Sequence, residues 1–380
     1  MSSSAGIKQR RTADALIVGA GIIGAACARA YARLGLSVCV IEPGAIGGGA
    51  TAAAMGHLLV VDDEAGGTDA EFQLTRRSQQ LWQQWLDENA DHPAQSEHQA
   101  CGTLWIAADA EELALAERKQ AWLAARGLAA EIWSAADLAR AEPMLRQGLA
   151  GALHVPGDAR VYPPKVAARW LAEARAEVIE GQVLSFDGAS VLLADGRRLW
   201  GAMTVLCAGL ASQAWLPPGW LTPKKGHLAI TQRYPGLVSH QLVELGYIKK
   251  AHLTDQDTVS FNVQPRPGGQ LLIGSSRQIG RSDRELDPAI LQDMLRQACG
   301  YLPGLRDLSL LRCWTGARPA SRDGQAIIGA HPELKRVWLA TGHEGLGITT
   351  SLATAEMLAE LSLGTAPQID ATPFSPSRFA

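Results

Sequence analysis

The strongest constraint on this chain lies in its first 42 residues, where Gly19, Gly21 and Gly24 form a GxGxxG spacing between two apolar runs. Ala15-Leu16-Ile17-Val18 suits a buried strand, Ile22 to Leu34 an alanine-rich helix, and Leu36 to Ile41 a second strand. In such a βαβ unit each glycine has a separate use: a tight turn, close approach of backbone to a pyrophosphate, and close packing of helix on strand. The phosphates then meet the positive end of the helix. Glu42, followed by Pro43, ends the second strand. A carboxylate there accepts hydrogen bonds from both ribose hydroxyls and repels a 2′-phosphate. Strand, glycines, helix, strand and acid in register predict a dinucleotide site, for FAD or NAD.

Two further glycine-rich segments bear on that choice. Gly47-Gly48-Gly49-Ala50-Thr51-Ala52-Ala53-Ala54-Met55-Gly56-His57-Leu58 follows the acid directly and is too poor in polar side chains for an ordinary exposed loop. Backbone lying close to an extended ligand accounts for it better. Gly342-His343-Glu344-Gly345-Leu346-Gly347 opens a final helix at Ile348-Thr349. Its amides and helix dipole would stabilise negative charge, which a reduced flavin carries at N1 and the C2 carbonyl. That favours FAD over NAD.

The rest of the chain predicts a mixed α/β architecture. Helices are expected around Phe72 to Leu86, over Leu113 to Arg126, from Pro163-Pro164 to Ala176, near Asp287 to Cys299, and over Thr349 to Leu361. Thr103 to Ala107 reads as a strand. Val183 to Phe186, Ser190 to Leu193 and Leu199 to Leu206 alternate with Asp-Gly turns and read as a β-meander, and His227 to Ser275 is a second strand-rich block. No linker separates domains in tandem. The expected division is a discontinuous Rossmann-like FAD-binding domain of residues 1–85, 145–222 and 312–380. A substrate-binding domain of residues 86–144 and 223–311, built on a mostly antiparallel sheet, is interleaved with it.

Charge and cysteine usage exclude several classes. The chain has 35 Lys and Arg against 38 Asp and Glu, a net charge of -3, with no pull toward nucleic acid or an anionic surface. Its six cysteines show neither CxxC pairs nor zinc spacing, so no metal site is expected and a reducing, cytoplasmic compartment is. The glycines that interrupt Ala13 to Ala28 argue against a signal peptide, and no other apolar run is long enough for a transmembrane helix. No GxSxG elbow or P-loop supports hydrolysis or nucleotide triphosphate chemistry.

These motifs, with Leu206-Cys-Ala-Gly209, Gly316-Ala-Arg-Pro-Ala-Ser-Arg-Asp-Gly324 and the tail Pro373-Phe-Ser-Pro-Ser-Arg-Phe379, resemble the D-amino-acid oxidase family of FAD enzymes over nearly the whole chain. Ala52 to Asp63 and His240 to Tyr247 are similar to the D-hydroxyproline dehydrogenase and opine oxidase group, with glycine and sarcosine oxidases more distant. The resemblance implies that Gly19, Ala20, Gly21, Ile22, Ile23, Gly24, Glu42 and Pro43 hold the ADP half of non-covalent FAD. Gly49, Ala50 and Thr51 would hold the pyrophosphate, and Met55, Gly56, His57 and Leu58 would lie along the isoalloxazine. Val183 would meet the adenine, Ala208 and Gly209 would border the nucleotide, and Gly342, Gly345, Leu346, Gly347, Ile348 and Thr349 would face the pyrimidine edge.

Arg318 resembles the arginine that grips the substrate carboxylate in these enzymes, a task suited to a guanidinium fork. Tyr247 reads equally as a substrate contact or a half-buried strand tyrosine. His57 and His343 are further candidates as flavin-side donors, and the alternative for each is a structural role. Cys313 lies near where sarcosine oxidases tether their flavin, although a buried structural cysteine fits it better. The implied activity is oxidation of a small amino or imino acid, D-hydroxyproline or a similar D-amino acid first, by hydride transfer from Cα to flavin N5 with a dehydrogenase-type acceptor. The alternatives are a peroxide-forming glycine or sarcosine oxidase, or a flavin-holding subunit of an opine oxidase-like complex. The resemblance also implies electron-transfer or iron-sulfur partner subunits in a hetero-oligomer, lying peripherally at the inner face of the membrane.

Overall fold

The computed structural model describes residues 12–60, 69–90, 96–187, 190–246 and 256–379. The chain runs through β1 (Ala13–Val18), α1 (Ile22–Arg33), β2 (Val38–Glu42), α2 (Gly49–Ala53), β3 (His57–Leu58), α3 (Asp69–Glu88), β4 (Thr103–Ala107) and α4 (Ala110–Ala124). Next come β5 (Glu131–Ser134), α5 (Ala135–Ala141), β6 (Gly151–Val155), β7 (Ala159–Arg160), α6 (Pro163–Glu173), β8 (Glu177–Glu180), β9 (Val183–Asp187), β10 (Ser190–Leu193) and β11 (Arg198–Leu206). The second half comprises β12 (Leu221–Thr231), β13 (Gln241–Glu244), β14 (Thr258–Pro265), β15 (Leu271–Ile279), α7 (Pro288–Tyr301), β16 (Leu310–Ser321), β17 (Ile327–Ala330), β18 (Val337–Thr341) and α8 (Gly347–Leu363).

Two eight-stranded sheets and the separate β3–β7 pair organise these elements. In the first, the order β17-β18-β11-β1-β2-β8 is parallel except at β17, because the crossovers carry helices that cover the sheet. The expected meander is present as β9, β10 and β11, and β11 then continues into the parallel sheet beside β1. The second sheet has the order β16-β12-β15-β14-β13-β4-β6-β5 and is antiparallel apart from the β13–β4 pair. Strand β6 falls within residues 145–222 and all but the first two residues of β16 within 312–380, yet both belong to this second sheet.

Local chemistry sets the element ends. Strand β2 begins two residues later than the apolar pattern suggests because Gly35 turns left-handed, at φ 83°. Helix α4 begins three residues earlier because Asp109 caps it, accepting the Glu112 amide at 2.9 Å. The predicted α7 starts at its cap Asp287. One core cluster packs α1, α3, α6 and α8 around Trp82, Trp85 and Trp170, whose ring centroids lie 5.0–5.7 Å apart. Each buried ring of this size contributes on the order of 2–3 kcal/mol, so the layer that backs the glycine turn is rigid. Among the described residues no helix is long and apolar enough to cross a membrane.

Candidate active site

The glycine turn is built as its spacing predicts. Gly19 has φ 107°, and a Cβ there would sit 2.6 Å from the Cys207 carbonyl oxygen. A Cβ at Gly24 would come within 1.9 Å of the Gly19 carbonyl oxygen, so α1 packs on the turn with no room for a methyl group. Gly21 is different: its Cβ would meet only the Thr51 hydroxyl, at 3.2 Å. Thr51 in turn accepts the Ile22 amide at 3.0 Å, tying α2 to the start of α1. Neither α1 nor α8 has an acidic residue in its first turn or a side-chain cap, which keeps both positive helix ends available to an anion.

Glu42 holds the turn from the other strand. Its carboxylate accepts the Ala20 amide at 2.8 Å and the Gly44 amide, beyond Pro43, at 3.0 Å. The Gly181 amide donates to the Glu42 carbonyl, which brings buried Val183 to this end of the sheet. Ala208 lies against Gly19, and Gly209 accepts the Thr341 hydroxyl at 3.2 Å. At the far side, Thr349 accepts the Leu59 amide and donates to the His57 carbonyl, fastening α8 to β3. Gly347 packs beside His343 and Ile23. A Cβ at Gly49, Gly209 or Gly345 would meet no protein atom within 4 Å. Segments from the beginning, middle and end of the chain thus line an open, glycine-walled cradle with two helix ends and one acid, which fits a dinucleotide.

The second sheet covers this cradle with alternating side chains. Leu228 and Leu272 pack on Met55, and the Trp314 indole donates to the Ala53 carbonyl at 3.4 Å, so even-numbered positions of β16 face the cofactor layer. Arg318 lies on that face, its Nη1 donating to the Ser276 carbonyl at 3.2 Å. A Cβ at Gly226 would fall 2.8 Å from the same nitrogen, so the guanidinium occupies space that only glycine leaves. Cross-strand from Arg318, Lys224 grips both carboxylate oxygens of Glu344 at 2.9 Å, and Arg277 reaches the same carboxylate at 3.5 Å. The Glu344 amide also donates to the Pro319 carbonyl, so the last glycine-rich loop is bound to the Arg318 strand.

His57 is half-buried between the layers, with Nδ1 2.5 Å from Gln241 Oε1 and Nε2 3.2 Å from Asn262 Nδ2; desolvation pulls its imidazole down to about 4, so it is neutral at pH 7. His343 is also buried and held near 4 for the same reason, and its Nε2 meets the Thr354 hydroxyl at 3.0 Å, bracing the loop against α8. Tyr247 lies outside the described residues. Cys313 packs with Ala229, Phe261 and Ile273 in the core on the opposite sheet face from Met55, where it cannot reach a flavin in the cradle. Sequence reasoning missed Gly226, Lys224, Gln241, Asn262 and Gln264. The last two carried a usable signal: Ser260, Asn262 and Gln264 alternate with Phe261 and Val263, a polar strand face that the fold covers.

Fold and cradle together define a flavin-dependent oxidoreductase with a substrate sheet laid over a dinucleotide-binding layer. The chain belongs to the DAO family of FAD-dependent oxidoreductases, whose family model matches residues 14–361. It is 28% identical to a glycine oxidase of Bacillus licheniformis, over 93% of this chain and 94% of the relative. It is 26% identical to the hydrogen cyanide synthase subunit HcnC of Pseudomonas aeruginosa, over 97% of each. The crystal structure of glycine oxidase from Geobacillus kaustophilus superposes with a TM-score of 0.84 at 24% identity, covering 96% of this chain and 98% of that one.

Proposed function

We propose that this FAD enzyme oxidises the C–N bond of a small amino or imino acid whose carboxylate is held by Arg318. The observation that carries the proposal is the placement of that guanidinium over Gly226, on the sheet face that packs on Met55 and the Gly342–Gly347 loop. A guanidinium fork fixes a planar carboxylate in two directions and so decides which Cα hydrogen faces the cofactor layer. Bound FAD supplies the two-electron acceptor for the hydride that leaves Cα.

The chain's own residues then have distinct tasks. Gly19, Gly21, Gly24, Glu42 and Thr51 hold the ADP half, the backbone of Met55 to Leu58 lines the ring system, and the α8 amides stabilise negative charge at its far edge. The first sheet serves the cofactor and the second the substrate. No carboxylate base is needed, because an amine that reaches the site neutral can release the hydride directly, and neutral His57 adds no charge of its own. His343 acts as a brace.

Cyclic secondary amino acids such as D-hydroxyproline are the first substrates to test, with an acceptor other than oxygen and an electron-transfer partner subunit. The likeness to HcnC, which is named as a subunit, supports the partner. A second reading, a glycine-type oxidase that forms peroxide, is favoured by the near full-length match to glycine oxidases. Anaerobic bleaching of the bound flavin across D-, L- and N-substituted amino acids tests the proposal, and bleaching by none overturns it. Peroxide yield on admitting air separates the two readings.

A further inference from the structure

We propose that Asn262 is the contact for the substrate amine, its carboxamide oxygen turned toward the amine by a hydrogen-bond chain that runs through His57. This rests on Arg318 holding the carboxylate. The chain starts at buried Gln241, whose Nε2 donates to the Thr103 hydroxyl and the Ala159 carbonyl, both at 3.2 Å. With its nitrogen so engaged, the Gln241 oxygen is an acceptor, and it takes a hydrogen bond from Gln264 Nε2 at 2.8 Å. His57 Nδ1, 2.5 Å from that same oxygen, must therefore carry the proton. A neutral imidazole protonated at Nδ1 has its lone pair at Nε2, so the group of Asn262 that faces it at 3.2 Å is the NH2.

The orientation of Asn262 is thus fixed by its neighbours. Its Oδ1 is left buried with no hydrogen-bond partner among the described residues. A buried carboxamide oxygen left without a donor is a deficit that a donor arriving with substrate removes. Asn262 also stands where such a donor would be. It pairs with Gly274, whose missing side chain leaves Met55 and Leu228 as the nearest atoms above the sheet. Arg318 Nη1 reaches the Ser276 carbonyl, on the strand beside Asn262 and two residues along from its partner Gly274, so the two side chains share the sheet face that packs on Met55.

The device selects for an N–H. A primary or secondary amine satisfies the oxygen, whereas a tertiary amine or an amine-less acid leaves it unpaired. The test uses FAD-loaded enzyme and follows perturbation of the flavin spectrum by D-proline and by cyclopentanecarboxylate, with glycine and acetate as a second pair. Asn262→Leu is expected to weaken D-proline or glycine binding at least tenfold while leaving the amine-less acid within twofold. Asn262→Ser, less demanding of the fold, is expected to give an intermediate loss. Equal weakening of both members of a pair, or no change in either, overturns the role of Asn262. Arg318→Ala should instead weaken both members, and if it spares them, the carboxylate assignment fails independently of Asn262.

Discussion

Gly21 and Gly24 lie three residues apart in the same turn, and adding one methyl group to each should have opposite consequences. At Gly24 the new Cβ would sit 1.9 Å from the Gly19 carbonyl oxygen, and 3.0 Å is a distance below which real Cβ contacts essentially never fall. Helix and turn must therefore separate by at least 1.1 Å (3.0 minus 1.9). Overpacking of this kind costs about 3 kcal/mol or more when the obstacle is backbone, against a gain in helix propensity of about 1 kcal/mol. The net loss of about 2 kcal/mol corresponds to a Tm drop of roughly 4–8 °C. Gly24→Ala should show that drop in apoprotein and holoprotein alike. At Gly21 the backbone is in an ordinary conformation, φ −71°, and the methyl would press only on the Thr51 hydroxyl. Apoprotein stability should change by less than about 1 kcal/mol. FAD affinity should fall at least tenfold, because the methyl occupies the path by which the pyrophosphate approaches. Differential scanning fluorimetry with and without FAD, together with a titration of apoprotein by FAD, reads both quantities. A Gly21→Ala variant that binds FAD normally, or a Gly24→Ala apoprotein as stable as wild type, would refute the assignment of these two glycines.

Glu42→Ala should raise the Kd for FAD about 10- to 100-fold, the worth of a charge-assisted hydrogen bond of about 1.5–3 kcal/mol, as measured by fluorescence of released flavin. Arg318→Ala should raise KM and slow anaerobic flavin reduction at full FAD content; unchanged reduction kinetics would remove it from the site. Stability should fall in acid: His57 and His343 are held near 4 when folded and return to about 6.5 when unfolded, so the unfolded chain binds more protons as pH drops. Their contribution is complete above pH 6.5 and is lost between pH 6.5 and 4, by on the order of 3 kcal/mol each, and urea titrations of His57→Gln should show a shallower slope over that window. Because Cys313 faces the core behind the second sheet, acid or denaturant should release all of the flavin, and flavin retained on the denatured chain would contradict that placement.

The N-terminal βαβ unit was legible because its constraints are local. Apolar periodicity, three glycines and one acid within 30 residues each have a single physical use, and the structure realises them with Gly19 at positive φ and Glu42 on the Ala20 amide. The strand-rich second half was legible as a sheet but not as a surface. Nothing in the spacing of Lys224, Arg277 and Glu344 shows that they meet, since sheet pairing and the packing of a loop far along the chain bring them together. Cys313 illustrates the same limit: five residues before Arg318 it looks adjacent to the site, and a pleat of period two turns it to the other face. His57 stood out for its glycine neighbours, but its tautomer is decided by Gln241 and Gln264, which reach it from strands far along the chain. The sequence by itself determined the N-terminal phosphate turn of the cofactor layer, because a turn that admits a phosphate is specified by a few consecutive residues. The substrate layer was decided only by tertiary structure, because the direction of each side chain depends on register and on the layer packed against it.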